Sequence, residues 1–164
     1  MFKEKDLVMY GTTGVCRVSK IGTPDFALEQ GWKYYFLEPL YQSGTIYAPV
    51  DGENLSIRSI ISAKEAKKLI EDVGGVKVKS FNPQSLQQLS QHYQDIIDQH
   101  DCQALVGLIK SVRKKERDAE KKNKKLGQID RRFMKLAEDL LYGELAASLG
   151  KEREEVADLL SEKL

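Results

Sequence analysis

At Ser62 the hydrophobic period of the chain changes from two to about 3.6, and few architectures accommodate both. Upstream, short β-branched and aromatic runs recur between turn residues. Leu7-Val8-Met9-Tyr10 leads into Gly11-Thr12-Thr13-Gly14, and residues 15–21 alternate apolar and polar before Gly22-Thr23-Pro24-Asp25. Runs of this kind, punctuated by Gly, Pro and Asp, predict strands. Three more are expected at residues 32–37, at 45–48 after Ser43-Gly44, and at 55–58. Pro49 closes the fourth of them; having no N–H to give to a ladder, it places that strand end at a sheet edge. Five short strands this close together predict a small antiparallel barrel of Tudor or SH3 type, closed or nearly so.

Downstream the start signals are those of helices. Ser62-Ala63-Lys64-Glu65 forms a capping box ahead of Ala66, Leu69 and Ile70, and Gly74-Gly75 stops that helix. Asn82-Pro83 offers an N-cap and a first-turn proline to a second helix, with Leu86, Leu89, Tyr93, Ile96 and Ile97 on one face. Asp101 caps a third, whose stripe is Leu105, Leu108, Ile109 and Val112. A longer helix beyond Gly127 carries Ile129, Phe133, Leu136, Ala137, Leu140, Leu141 and Leu145, and a short last one carries Val156, Leu159 and Leu160. Residues 76–80 carry neither period. The expected fold class is α+β, a Tudor/SH3-like barrel over residues 1–61 followed by a five-helix all-α domain over 62–164.

Composition narrows the function. No apolar run approaches the roughly 20 residues that span a bilayer, and Met1-Phe2-Lys3-Glu4-Lys5-Asp6 lacks the apolar core of a signal peptide, so a cytoplasmic monomer without a membrane partner is expected. Cys16 and Cys102 lie far apart with no Cys or His at metal-ligand spacing, which predicts buried thiols rather than a disulfide or zinc site. His92 and His100 share a predicted helix with no third ligand in reach, and are expected to face solvent. Gly74-Gly75 lacks the lysine and the strand-to-helix setting of a phosphate loop, and Glu154-Glu155 reads as a solvated face. No catalytic residue, metal or cofactor is therefore expected, and the chain does not read as an enzyme.

Charge is where the sequence speaks for a partner. The net charge is +1, yet residues 113–135 hold eleven Lys/Arg against four Asp/Glu, a surplus of seven, while residues 136–164 hold three against eight. On a helix, Arg113, Arg117, Lys121 and Lys124 share one sector; Lys114, Lys121, Lys122 and Lys125 share an overlapping one, and Arg131-Arg132 and Lys135 follow. The plain alternative is a surface helix laced by i,i+4 pairs such as Glu120 with Lys124, each worth a few tenths of a kcal/mol. A surplus of seven exceeds what such pairs neutralise, and points to phosphates held without readout of sequence. A second candidate surface is the strand edge at Ile46-Tyr47-Ala48, open to a partner's strand. Its alternative is an exposed aromatic beside a protective proline.

These residues resemble a known family. Phe2, Asp6 to Val15, Val18 and Ile21, then Tyr35-Phe36-Leu37, Ile46-Tyr47-Ala48-Pro49 and Asn54-Leu55-Ser56-Ile57-Arg58 are similar to the RNA-polymerase-interacting domain of CarD/CdnL regulators, also found in the transcription-repair coupling factor. The run from Asp130-Arg131-Arg132-Phe133 to Leu140-Leu141-Tyr142-Gly143-Glu144-Leu145-Ala146 resembles the helix after the basic segment of CarD proteins. The resemblance implies a Tudor-like domain adding a strand to the polymerase β subunit, and a helical domain contacting promoter DNA at the upstream edge of the transcription bubble. It also implies a tryptophan wedge in the minor groove at the fork.

Here the pattern departs from the family. The only tryptophan, Trp32, lies in the β region, and the wedge region reads Ser85-Leu86-Gln87-Gln88-Leu89. Leu86 stands in the wedge's place, although its helical spacing assigns it to the core face. Gln87, Gln88 and Gln91 replace basic residues, whereas Arg131 and Arg132 match basic positions. The expected protein is a non-enzymatic regulator that presents Ile46, Tyr47 and Ala48 to polymerase. It would hold DNA with Arg113, Lys114, Lys121, Lys124, Lys125, Arg131 and Arg132, and with Leu86 at the fork, modulating open-complex stability. Its rivals are a polymerase-binding adaptor without productive DNA contact and a basic RNA- or ribosome-associated protein.

Overall fold

A computed structural model describes residues 1–52, 56–78 and 80–164, and the chain divides into two compact units, Met1–Ile60 and Ile61–Leu164. The first unit holds strands β1 (Leu7–Tyr10), β2 (Gly14–Gly22), β3 (Tyr34–Pro39), β4 (Ile46–Pro49) and β5 (Ile57–Ser59). They form one antiparallel sheet in the order β4-β3-β2-β1-β5. Alternation puts Val8, Cys16, Val18, Tyr35, Leu37 and Ala48 into one core, and Ile46 on β4 and Ile57 on β5 pack against it from the two edge strands. Both edges thus serve a single apolar cluster, the burial logic of a small barrel. A register shift between Val18 and Lys20 bends β2, as an extra residue in one strand does.

Two strand expectations need amendment. Trp32 and Lys33 precede β3 rather than opening it, and the Trp32 side chain is 62% exposed. The fifth strand begins later than expected, at Ile57, and Leu55 lies outside the described residues. A 3-10 turn at Asp25–Ala27, not foreseen, places Phe26 over the outer face of β3 and β4.

The second unit is helical throughout, with α1 (Ala63–Asp72), α2 (Leu86–Ile97), α3 (Cys102–Lys121), α4 (Gln128–Leu149) and α5 (Arg153–Leu160), so the expected α+β class is observed. Both arms of the Ser62/Glu65 capping box are made, and Asp101 accepts from the Ala104 N–H at 3.3 Å. The second helix starts later than Asn82-Pro83 suggested. Ser85 is its N-cap, accepting from the Gln88 N–H at 3.1 Å while the Gln88 side chain accepts from the Gln84 N–H, a reciprocal lock that Asn82 does not make. It ends at Ile97, so His100 lies outside it, and His92 is half-buried, stacking on Phe81.

Leu105, Leu108, Ile109 and Val112 of α3 are buried, as are Phe133, Ala137, Leu140, Leu141 and Leu145 of α4, each contributing roughly 1.5–3 kcal/mol of burial for the larger side chains. Leu159 departs from its expected place, being 45% exposed, whereas Val156 and Leu160 are fully covered. Lys110 reaches across to the segment behind α1, donating to the carbonyls of Val73 at 2.9 Å, Gly74 at 3.2 Å and Val76 at 2.7 Å.

Both cysteines are buried and unpaired with each other. Burial pushes the Cys16 thiol up to about 11, leaving almost no thiolate at neutral pH. A thiol reagent is therefore expected to leave Cys16 unlabelled in native protein and to react once denaturant is added; rapid native labelling would mean the β core is open.

Candidate functional site

The edge of β4 is open. Among the described residues β4 pairs only with β3, and the bond from the Val50 N–H to the Lys33 carbonyl, 3.0 Å, sets the phase of that ladder. With Ala48 opposite Tyr35 and Ile46 opposite Leu37, the backbone groups of Ile46 and Ala48 turn toward β3, and those of Tyr47 turn outward. The three residues of the expected edge are thus not equivalent. The Ala48 side chain is fully buried and Ile46 packs on the core, so Tyr47 alone offers both free backbone groups and an exposed ring. Pro49 follows with an outward position and no donor.

Around Tyr47 lies an aromatic surface that strand periodicity did not reveal. Phe26 meets Tyr34 at 5.4 Å and Tyr47 at 5.2 Å, and Phe36 meets Tyr47 at 4.9 Å, all edge to face. Lys20 sits over the Phe36 ring. Tyr34 and Phe36 are the outward-pointing members of a strand whose alternate residues, Tyr35 and Leu37, are core. Phe26 is 63% exposed. Clustered exposed rings beside an unpaired edge are the composition of a protein-binding surface rather than of a solvated face.

In the helical unit the basic segment splits into two populations. Arg113 is half-buried, donating to Glu138 at 3.4 Å and to the Tyr142 hydroxyl at 3.3 Å, which ties α3 to α4. Lys115 donates to Asp130 at 2.9 Å. Lys135 pairs with Asp139 at 3.7 Å along the surface of α4. With these three removed from the eleven cations of residues 113–135, eight remain without a carboxylate in ion-pair reach among the described residues. Arg113, expected as a phosphate ligand, is also a tie between α3 and α4.

The helix also stops earlier than the charge pattern assumed. Asn123 takes a left-handed φ of 55°, and the Lys124 N–H returns to the Ala119 carbonyl at 2.8 Å, a Schellman-type end. Lys124 and Lys125 are therefore in the connection to α4, not on the stripe. Lys121, Lys122, Lys124 and Lys125, followed by Arg131 and Arg132 in the first turns of α4, gather at the end where α3 hands over to α4, and all six are exposed. The positive end of the α4 dipole lies at the same place.

Leu86 departs from its core assignment in the opposite direction: it is the first residue of α2 and 72% exposed. Leu89 and Tyr93, one and two turns on, are buried. Gln87, Gln88 and Gln91, which follow Leu86 along α2, are uncharged polar groups.

Two buried acids escaped the sequence reading. Asp130, 7% exposed, accepts from the Tyr93 hydroxyl and from Lys115, so one carboxylate joins α2, α3 and α4. Burial, reinforced by that bond to Asp130, holds the Tyr93 phenol far above its ordinary range. Glu144, with no exposed surface, accepts from the Ile61 N–H at 2.9 Å and from the Cys102 thiol at 3.2 Å, and the Ser148 hydroxyl donates to the Ile61 carbonyl at 2.6 Å. The signal was present: Glu144 lies three and four residues beyond Leu141 and Leu140, on the apolar stripe itself.

No cluster of His, Cys, Asp and Glu able to hold a metal exists among the described residues, and no described helix is long and apolar enough to cross a membrane. The described residues present two recognition surfaces, an edge strand with aromatics and a concentration of positive charge. Residues 2–61, the span of β1 to β5, match the model of the CarD-like/TRCF RID domain. No curated protein matches the chain. That domain is a non-catalytic RNA-polymerase-interaction module, and the match supports a transcription-related, polymerase-binding role.

Proposed function

We propose that this chain, carrying a CarD-like/TRCF RID domain over residues 2–61, joins the polymerase β subunit to promoter DNA and modulates the stability of the open complex. The observation that carries the reading is the free β4 edge at Tyr47, ringed by Phe26, Tyr34 and Phe36, within the residues that match that domain. A strand of the β subunit adds there through main-chain bonds, and the aromatic ring cluster provides apolar contact. The helical unit grips DNA through Lys114, Lys121, Lys122, Lys124, Lys125, Arg131 and Arg132, without reading sequence. Leu86, standing clear of the surface at the start of α2, is positioned as an aliphatic wedge against an unstacked base step. The protein is a cytoplasmic monomer in this reading.

The test is the lifetime of open complexes on a defined promoter with and without the protein. A change of severalfold is expected, and no change would sink the mechanism. Tyr47→Pro is expected to abolish the effect and to reduce polymerase capture by at least tenfold, since it removes the outward N–H and the exposed ring while costing no bond to β3. Capture unaffected by that variant would place polymerase elsewhere. A second reading, a polymerase-binding adaptor without productive DNA contact, is favoured by the uncharged Gln87, Gln88 and Gln91 that follow Leu86 along α2. It predicts polymerase capture with no salt-sensitive shift of forked DNA.

A further inference from the structure

Between Val78, Ser80, Phe81 and Asn82 on one side and α2 and α3 on the other, the helical unit has a solvent-open cleft of about 210 Å³ that belongs neither to the strand edge nor to the basic end of α3. Its wall is aromatic. Phe81 and His92 stack at 3.8 Å with their planes 7° apart, and Tyr93 lies behind them. One face of Phe81 is covered by His92, yet the residue is 38% exposed and lines the cleft. Lys114 stands at the rim with no carboxylate in ion-pair reach among the described residues, and Asn82 and Asp118 add an amide and an acceptor.

That set of groups selects among ligands. A bare phosphate would gain Lys114 but would face Asp118 and leave the rings unused. An apolar side chain would use the rings but bury the amide and both charges without partners. A nucleobase with its phosphate satisfies all of them: a π face for the open face of Phe81, ring-edge donors and acceptors for Asn82 and Asp118, and a phosphate for Lys114. Burial lowers the His92 pKa, Asp95 opposing and Lys115 adding to the fall, which favours the uncharged ring beneath Phe81; Lys115, also on the cleft wall, is paired with Asp130. The path beyond the cleft suits a continuing strand. At about 100° per residue, Arg117 and Lys121 lie within about 60° of Lys114 on α3, and both are exposed.

We propose that this cleft takes one unpaired nucleobase of a single strand, stacked on Phe81 with its phosphate on Lys114. A paired base presents no free face, so the cleft distinguishes melted from duplex nucleic acid. The proposal rests on the DNA-binding reading of the helical unit and gives it a preference that phosphate contacts cannot supply.

The test uses the full chain, a DNA duplex with a single-stranded tail carrying 2-aminopurine at the first unpaired position, and the same duplex fully paired. The tailed duplex is expected to bind about tenfold tighter, with the probe's fluorescence changing on binding. Phe81→Ala should bring the tailed duplex down to the affinity of the paired one, with an unchanged helical circular-dichroism spectrum, and Phe81→Trp should retain the preference. A preference that survives Phe81→Ala overturns the cleft while leaving DNA binding intact. Failure of the wild-type chain to bind either DNA overturns both readings. Adenosine monophosphate competing at the same concentration as the tailed strand would overturn the single strand as the source of the base.

Discussion

Replacing Lys121, Lys122, Lys124 and Lys125 together with glutamine is expected to lower the affinity for duplex DNA by about 10³- to 10⁴-fold at about 0.1 M salt, because each neutralised phosphate contact forfeits nearly a decade through counterion release. The slope of log affinity against log salt should become shallower by about 3 to 4. All four ammonium groups are exposed and none is in ion-pair reach of a carboxylate among the described residues, so the fold loses nothing with them. Lys115→Gln is the informative contrast. Its ammonium is engaged with Asp130, so that variant should cost stability and leave the salt slope unchanged. A fourfold variant that binds DNA within a few-fold of the wild type would remove the DNA half of the proposed function and favour the adaptor.

Glu144→Ala should destabilise the helical unit by about 3–5 kcal/mol, the cost of stripping one partner from a buried polar cluster. The substitution leaves the Ile61 N–H and the Cys102 thiol without this acceptor and opens a void on α4, where Leu141 and Leu145 are fully buried. Glu144→Gln keeps the shape and one acceptor oxygen, and should cost less than half as much. Urea titration followed by far-ultraviolet circular dichroism, which α1 to α5 dominate, measures both. A shift below about 1 kcal/mol for the alanine variant would mean that water or a rearranged chain replaces the carboxylate.

What the sequence disclosed and what it withheld follow one physical division. Local signals were legible: the Ser62/Glu65 box, the Asp101 cap, and the α3 stripe of Leu105, Leu108, Ile109 and Val112, all buried. Leu86 was misassigned because periodicity states which residues share a face but not how far along that face the neighbouring helices reach, and the first residue of a helix can overhang them. Asn82-Pro83 and Ser85 compete for one helix start, and the reciprocal Gln84–Gln88 bond that decides between them is visible only in three dimensions. The role of Arg113 needed Glu138 and Tyr142, more than twenty residues away in the chain. The end of α3 was, by contrast, readable in principle, since asparagine tolerates the left-handed conformation that Asn123 adopts.

Lys110 has spent every hydrogen of its ammonium group on three carbonyls of the segment behind α1. An amine must shed a proton and expose its lone pair before it can attack an acyl donor, so this one reacts only when residues 73–76 let go. Measured against the freely exposed amine of Lys121, the acylation rate of Lys110 is thus a clock for the local opening of that segment.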